Sequence, residues 1–116
     1  MMQPMLRVAR AYQAAATHRS LRAQQADLFR QTNGALQAGK MGGAVVRARA
    51  IAENRQLWGT VVGLMHDPAN PLPAPLRGSI VSIGLAVQRE MDRFQPDFDF
   101  LISVNENLAA GLADED

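Results

Sequence analysis

Four of the six prolines fall between Pro68 and Pro75, in the run Asp67-Pro-Ala-Asn-Pro-Leu-Pro-Ala-Pro. Proline has no backbone donor, its ring clashes with the preceding turn, and the residue before it is pushed out of the α region. No helix continues through such a run. The chain is therefore cut into a part that ends near His66 and a part that starts near Ala74, and a fold has to bring the two together around a stiff corner.

Helical spacing lies on both sides of the break. Ile51, Asn54, Trp58, Val61, Val62 and Met65 form a stripe with one amide in it over Ala44–His66. Gly59 and Gly63, four residues apart, predict a close approach by another helix. Over Ala74–Phe94, Leu76, Ile80, Ile83, Val87, Met91 and Phe94 step by three and four. Val81 and Leu85 add a second apolar face there, which predicts a central helix. Gln95-Pro96-Asp97 stops it, and Asp97 is placed to cap a last helix over Phe98–Leu112. That helix carries Phe98, Leu101, Ile102, Asn105, Leu108 and Leu112 on one face.

Upstream, Met5, Val8, Ala9, Tyr12 and Ala16 predict a helix over Pro4–Ala16, and Thr17 is the expected cap of the next. That next helix runs from His18 to about Ala38, with Leu21, Gln25, Leu28, Phe29, Thr32 and Leu36 on one face. Asn33-Gly34 is its weak point, because glycine costs about 1 kcal/mol relative to alanine inside a helix. Gly39 is the expected C-cap, and Gly42-Gly43 a flexible link. No stretch has the period of two that a strand needs. The expected fold is all-α, a single-domain antiparallel helix bundle of about five helices over 1–116. Residues 1–4 are expected to be disordered or additional to a start at Met5, and 113–116 form an acidic tail.

Composition supports a folded chain with a modest core. Apolar residues make up 47% and charged ones 20%, richer in the first and poorer in the second than a disordered chain. The absence of cysteine removes disulfides, thiolate metal sites and cysteine nucleophiles. No apolar run reaches the roughly 18 residues that suggest a membrane span, and a cytoplasmic location is expected. Charge is unevenly placed. Met1–His66 holds nine basic residues against two acids, a balance of +7, and Asp67–Asp116 holds three against nine, a balance of −6. Such asymmetry suits either two halves that neutralise each other or a surface that steers a charged partner.

Groups suited to catalysis are scarce. His18 and His66 stand at helix ends without a second ligand at i+3 or i+4, so the spacing of a zinc helix is missing. Asp97/Asp99 lie around a cap and Asp114/Asp116 in a tail, neither a setting that splits two carboxyl pKa values. Gly39-Lys40-Met41-Gly42-Gly43 lacks the spacing of a phosphate loop. Arg7, Arg10, Arg19, Arg22 and Arg30 make a basic face, but without the modules that stack bases, so RNA is not an expected partner. No enzyme activity, cofactor or metal is expected. Asn54 and Asn105 stand out as amides in apolar stripes. Each reads either as a buried residue that pins helix register or as a residue lining a groove for a partner helix.

Three stretches together resemble the FlaF family of flagellar biosynthesis regulators. They are Ala11-Tyr12-Gln13, then Glu53-Asn54-Arg55-Gln56-Leu57-Trp58, then the run from Asn70-Pro71-Leu72-Pro73 through Leu76-Arg77 and Ile80-Val81-Ser82-Ile83-Gly84-Leu85 to Ile102–Leu112. The order and spacing of Asn-Arg-x-Leu-Trp, Leu-Pro-x-x-Leu-Arg and Asn-x-Asn-x-x-x-Gly-Leu carry the resemblance. It departs at Glu106, where the family tends to be basic, and in the Gly-rich link from Lys40 to Ala44. The resemblance implies a protein that binds flagellin and supports its synthesis and export in the manner of a secretion chaperone. It also implies a FlbT-type regulator as second partner, and the alternative of post-transcriptional control through FlbT or RNA without direct flagellin binding. Flagellin has amphipathic terminal helices, and a bundle can offer them an apolar groove. On that expectation Leu57, Trp58, Leu72, Leu76, Arg77 and Asn105 are the candidate contact residues, with Asn54 structural. Trp58 at helical spacing equally suits a core.

Overall fold

The computed structural model describes residues 23–114, with side chains to residue 112. The expected helix over Pro4–Ala16, its residue Tyr12, the cap at Thr17, residues 1–4 and the end of the acidic tail lie outside them. Four helices are described: α1 over 23–41, α2 over Ala44–His66, α3 over Ala74–Met91 and α4 over Phe98–Asp114. Among the described residues there is no strand. The fold is all-α.

The proline run makes the corner between α2 and α3. Its backbone groups, which a helix would have paired, are taken up by side chains. Asp67 Oδ1 accepts from the Ala69 N–H at 2.9 Å, and Asn70 Oδ1 accepts from the Leu72 N–H at 2.9 Å. Asn70 Nδ2 donates to the Leu64 carbonyl at the end of α2, at 2.8 Å. Pro75 sits in the first turn of α3, where its missing donor costs nothing. The second corner is built the same way. Asp97 caps α4 by accepting from the Phe100 N–H at 3.1 Å, and Glu90 accepts from the Asp97 N–H at 2.9 Å.

Helices consecutive in the chain run antiparallel, while α2 and α4, which meet through Arg47 and Phe98 and through Asn54 and Asn105, run parallel. Trp58 and Val62 of α2 meet Gly84 of α3, while Asn54 meets Met91. Phe29 of α1 meets Trp58, and Gly39 meets Ala50. Gly39 also meets Phe98 of α4, and Asn33 meets Ile102. Helix α2 is thus in contact with each of the others. The core is Trp58, Leu36, Leu101 and Val87, all fully buried, with Phe29 edge-on to Trp58 at 6.1 Å between ring centres and 72° between planes.

Several expectations are corrected. Asn33-Gly34 does not end α1; Asn33 donates from Nδ2 to the Ile102 carbonyl at 3.0 Å, so the weak point is a contact to α4. Gly39 lies inside α1 and is no cap. A Cβ there would sit 3.0 Å from both Ala50 Cβ and Phe98 Cε2, so its missing side chain lets three helices converge. Among the described residues nothing lies within 4 Å of a Cβ placed on Gly59 or Gly63, and the close approach is made by Gly84. The buried face of α1 is Ala26, Phe29, Thr32, Asn33 and Leu36, while Gln25 and Leu28 point outward. Helix α3 stops at Met91, three residues short of Phe94, and is not central: it packs on α2 and leaves Leu76, Ile83 and Leu85 exposed.

A Cβ on Gly84 would lie 2.6 Å from Val62 Cγ2 and 3.3 Å from Trp58 Cε3. Both neighbours are stiff, so overpacking outweighs alanine's better helix propensity. Gly84→Ala is expected to destabilise the protein by about 1–3 kcal/mol in urea unfolding. Gly63→Ala, with nothing within 4 Å among the described residues, is expected to stabilise it by up to about 1 kcal/mol.

Candidate protein-binding surface

Two of the residues expected at a contact surface are interior. Trp58 and Asn105 are each 0% exposed, as is Asn54. They form one hydrogen-bonded chain. Trp58 Nε1 donates to Asn105 Oδ1 at 2.9 Å, Asn105 Nδ2 donates to Asn54 Oδ1 at 2.8 Å, and Asn54 Nδ2 meets Met91 Sδ at 3.3 Å. An indole N–H only donates. It therefore obliges Asn105 to present its oxygen, which turns the Asn105 amide nitrogen toward Asn54. Periodicity put each residue on the correct face; it carried no sign that the two amides meet.

Leu72 and Arg77 come together at the proline corner. Arg77 Nε donates to the Leu72 carbonyl at 3.0 Å and Nη1 reaches the Met65 carbonyl at 3.4 Å. The guanidinium thereby ties the end of α2 to the start of α3. Leu72 is half-buried beside it, and Leu76 is exposed. Leu57 lies elsewhere, half-buried along α2. It borders a shallow depression of about 380 Å³ with Leu28, Thr32, Glu53 and Thr60. The six residues do not make one patch.

A larger surface lies between the outer face of α2 and the corner that joins α3 to α4. It is an open groove of about 880 Å³. Ala44, Ala48, Ile51 and Ala52 form its floor, at the three- and four-residue spacing of a single helix face. Phe94, Pro96 and Phe98 form its wall. Phe98 is buried and held in place: Gly39 approaches its edge, and the Arg47 guanidinium stands 5.0 Å from its ring centre in a cation–π contact. Phe94 is 98% exposed. It stands in the corner after α3 has stopped, so no helix carries it back to the core.

Among the described residues three guanidinium groups line the groove, those of Arg47, Arg55 and Arg93, and no carboxylate does. Arg55 pairs with Asp92 at 3.0 Å and Arg93 with Glu90 at 3.2 Å, at the outer edge. The Arg55–Asp92 pair and the Lys40–Asp99 pair at 2.6 Å join the basic half of the chain to the acidic half. Both are largely exposed, so they set charge distribution more than stability. The groove was missed in the sequence because Phe94 continued the apolar step of α3. The signal that α3 ends earlier was Asp92-Arg93 ahead of Pro96.

The family described as Flagellar protein FlaF matches residues 8–112, nearly the whole chain. No curated protein and no solved structure matches it. Among the described residues no helix is long and apolar enough to cross a membrane.

The buried relay has a measurable energetic signature. Asn105→Ala leaves the Trp58 N–H and the Asn54 oxygen without partners, each costing about 1–3 kcal/mol. A loss of roughly 3 kcal/mol is expected in denaturant unfolding followed by Trp58 fluorescence. Asn54→Ala with Asn105→Ala is expected to cost less than the two single losses added, by at least about 0.5 kcal/mol.

Proposed function

This chain belongs to the FlaF family of flagellar proteins, and on that footing we propose that it binds flagellin in the cytoplasm and supports its synthesis and export as a secretion chaperone. The observation that carries the reading is the open groove beside α2, with the Phe94 side chain standing in solvent at its wall. A large, fully exposed aromatic beside an apolar floor marks an interaction surface more often than a tolerated accident. From Ala44 to Gln56 the groove spans twelve residue steps of α2, about 18 Å at 1.5 Å per residue. That length takes about three turns of an amphipathic helix, read through anchors at i, i+3, i+4 and i+7. Flagellin's terminal helices are of that kind. Covering them before export would keep their apolar faces from associating. A FlbT-type regulator is proposed as a second partner.

Titration calorimetry of the full chain with monomeric flagellin is expected to give saturable binding that disappears when one flagellin terminus is deleted. Phe94→Asp is expected to weaken that binding at least tenfold and leave the unfolding midpoint unchanged, because the ring contributes almost no buried area. Absence of binding by the folded wild-type chain would move the assignment to control through FlbT or RNA.

A further inference from the structure

The two depressions on α2 differ in charge. The smaller one, beside Leu57, is lined among the described residues by Glu53 and no basic side chain. Among the described residues, the groove beside Phe94 is lined by Arg47, Arg55 and Arg93 and by no acid. Helix α2 itself carries Arg47, Arg49 and Arg55 against the single acid Glu53. Of the groove arginines, Arg47 is anchored by a ring and not by a carboxylate: its guanidinium stands over Phe98, and among the described residues it is in no ion pair. A guanidinium stacked on a ring keeps its in-plane N–H donors free, in a fork that fits a carboxylate.

We infer that the groove selects its occupant by charge: the segment it takes is an amphipathic helix whose apolar stripe is flanked by Asp or Glu, with Phe94 closing on the stripe and Arg47 and Arg93 receiving the flanking carboxylates. The inference rests on the groove being a docking surface, as proposed above, and adds the chemistry of what docks. The floor of Ala44, Ala48 and Ala52 lets a helix lie close to α2, which brings its flanking residues within reach of the arginines on either side. Desolvation by the apolar floor strengthens these pairs relative to exposed ones. A lysine-flanked helix with the same stripe meets the unpaired charge of Arg47 and must compete with Arg55 and Arg93 for Asp92 and Glu90, which gives specificity beyond what apolar area supplies. The exposed pair of Arg55 with Asp92, and the pair of exposed Arg93 with the largely buried Glu90, hold those two guanidinium groups near the groove until an occupant competes for them.

The test uses three labelled synthetic helices with an identical apolar stripe, flanked by Glu, by Gln or by Lys, titrated into the full chain by fluorescence anisotropy at low and high salt. The Glu-flanked helix is expected to bind at least tenfold tighter than the Gln-flanked one at low salt, with the gap narrowing as salt rises. The Lys-flanked helix is expected not to bind. Arg47→Glu, checked for an unchanged melting curve, is expected to abolish the preference for Glu, and Arg47→Gln to reduce it with the Phe98 face still covered. Equal binding of the Glu- and Gln-flanked helices, or an unchanged preference in folded Arg47→Gln, overturns the inference. Competition with monomeric flagellin separates the two claims. If flagellin displaces the probes but flank charge is irrelevant, charge selection fails and flagellin binding stands. If the Glu preference holds and flagellin does not compete, the reverse is true.

Discussion

The hydrogen bond from the Trp58 indole to Asn105 is the constraint around which this bundle is arranged. Both residues are wholly buried, and a donor-only indole in an apolar interior has to find an acceptor. Meeting that need fixes the height of α4 against α2. The amide that provides the oxygen has a nitrogen left over, which fixes Asn54, whose own nitrogen then faces the Met91 sulfur on α3. Three helices are registered by one polar chain. Leucine or valine in those positions would give comparable burial with several near-equivalent registers, whereas a connected polar set is satisfied in one. Helix α1 joins through Asn33, which donates to the Ile102 carbonyl, and through Phe29, which packs its edge against Trp58.

Close approach has the same source. With Trp58 filling the centre, a helix crosses it only where it has no side chain of its own, and Gly84 provides that place on α3. Gly39 does the same where α1 meets Ala50 and Phe98. These contacts carry through to the surface. Because α3 is drawn onto α2 and stops at Met91, the chain turns with Phe94 outside. Because α1 approaches Phe98, that ring stays against Arg47 as the groove's wall. The proposed docking surface thus follows from how the core is registered, and Asp97 and Glu90, which hold the corner, belong to the same construction.

Much of this was legible in the sequence. The proline run located the α2–α3 corner, Asp97 the start of α4, and large apolar residues at regular spacing the buried faces of α2 and α4. Other parts were hidden for definite reasons. Helix α1 buries Phe29, Thr32 and Leu36 of the expected face, but also Ala26, Asn33 and Gly39, whose small or polar side chains give no apolar period, and Gln25 and Leu28 were counted in the face although they are exposed. Gly59 and Gly63 and Gly84 are indistinguishable as letters; only the position of Trp58 and Val62 across the interface decides which one is needed. Asn54 and Asn105 are 51 positions apart, and no local pattern reports that they touch. Arg77 was read as a contact residue because arginine is common at interfaces, yet its Nε and Nη1 donate to the carbonyls of Leu72 and Met65. Phe94 continued a helical step that the chain abandons. Surface sites depend on where elements stop, and element ends are decided by caps and corners more than by periodicity.

On the proposed function, a partner helix lies in the groove between α2 and the α3–α4 corner. The most direct measurement is photo-crosslinking of the full chain to monomeric flagellin from a photoreactive phenylalanine analogue placed at position 94, with the same analogue at position 57 beside the second depression. An adduct is expected from position 94, mapped by peptide mass to one terminal helix of flagellin, and none from position 57. An adduct from position 57 alone, or none from position 94 under conditions where flagellin binds, would contradict that placement.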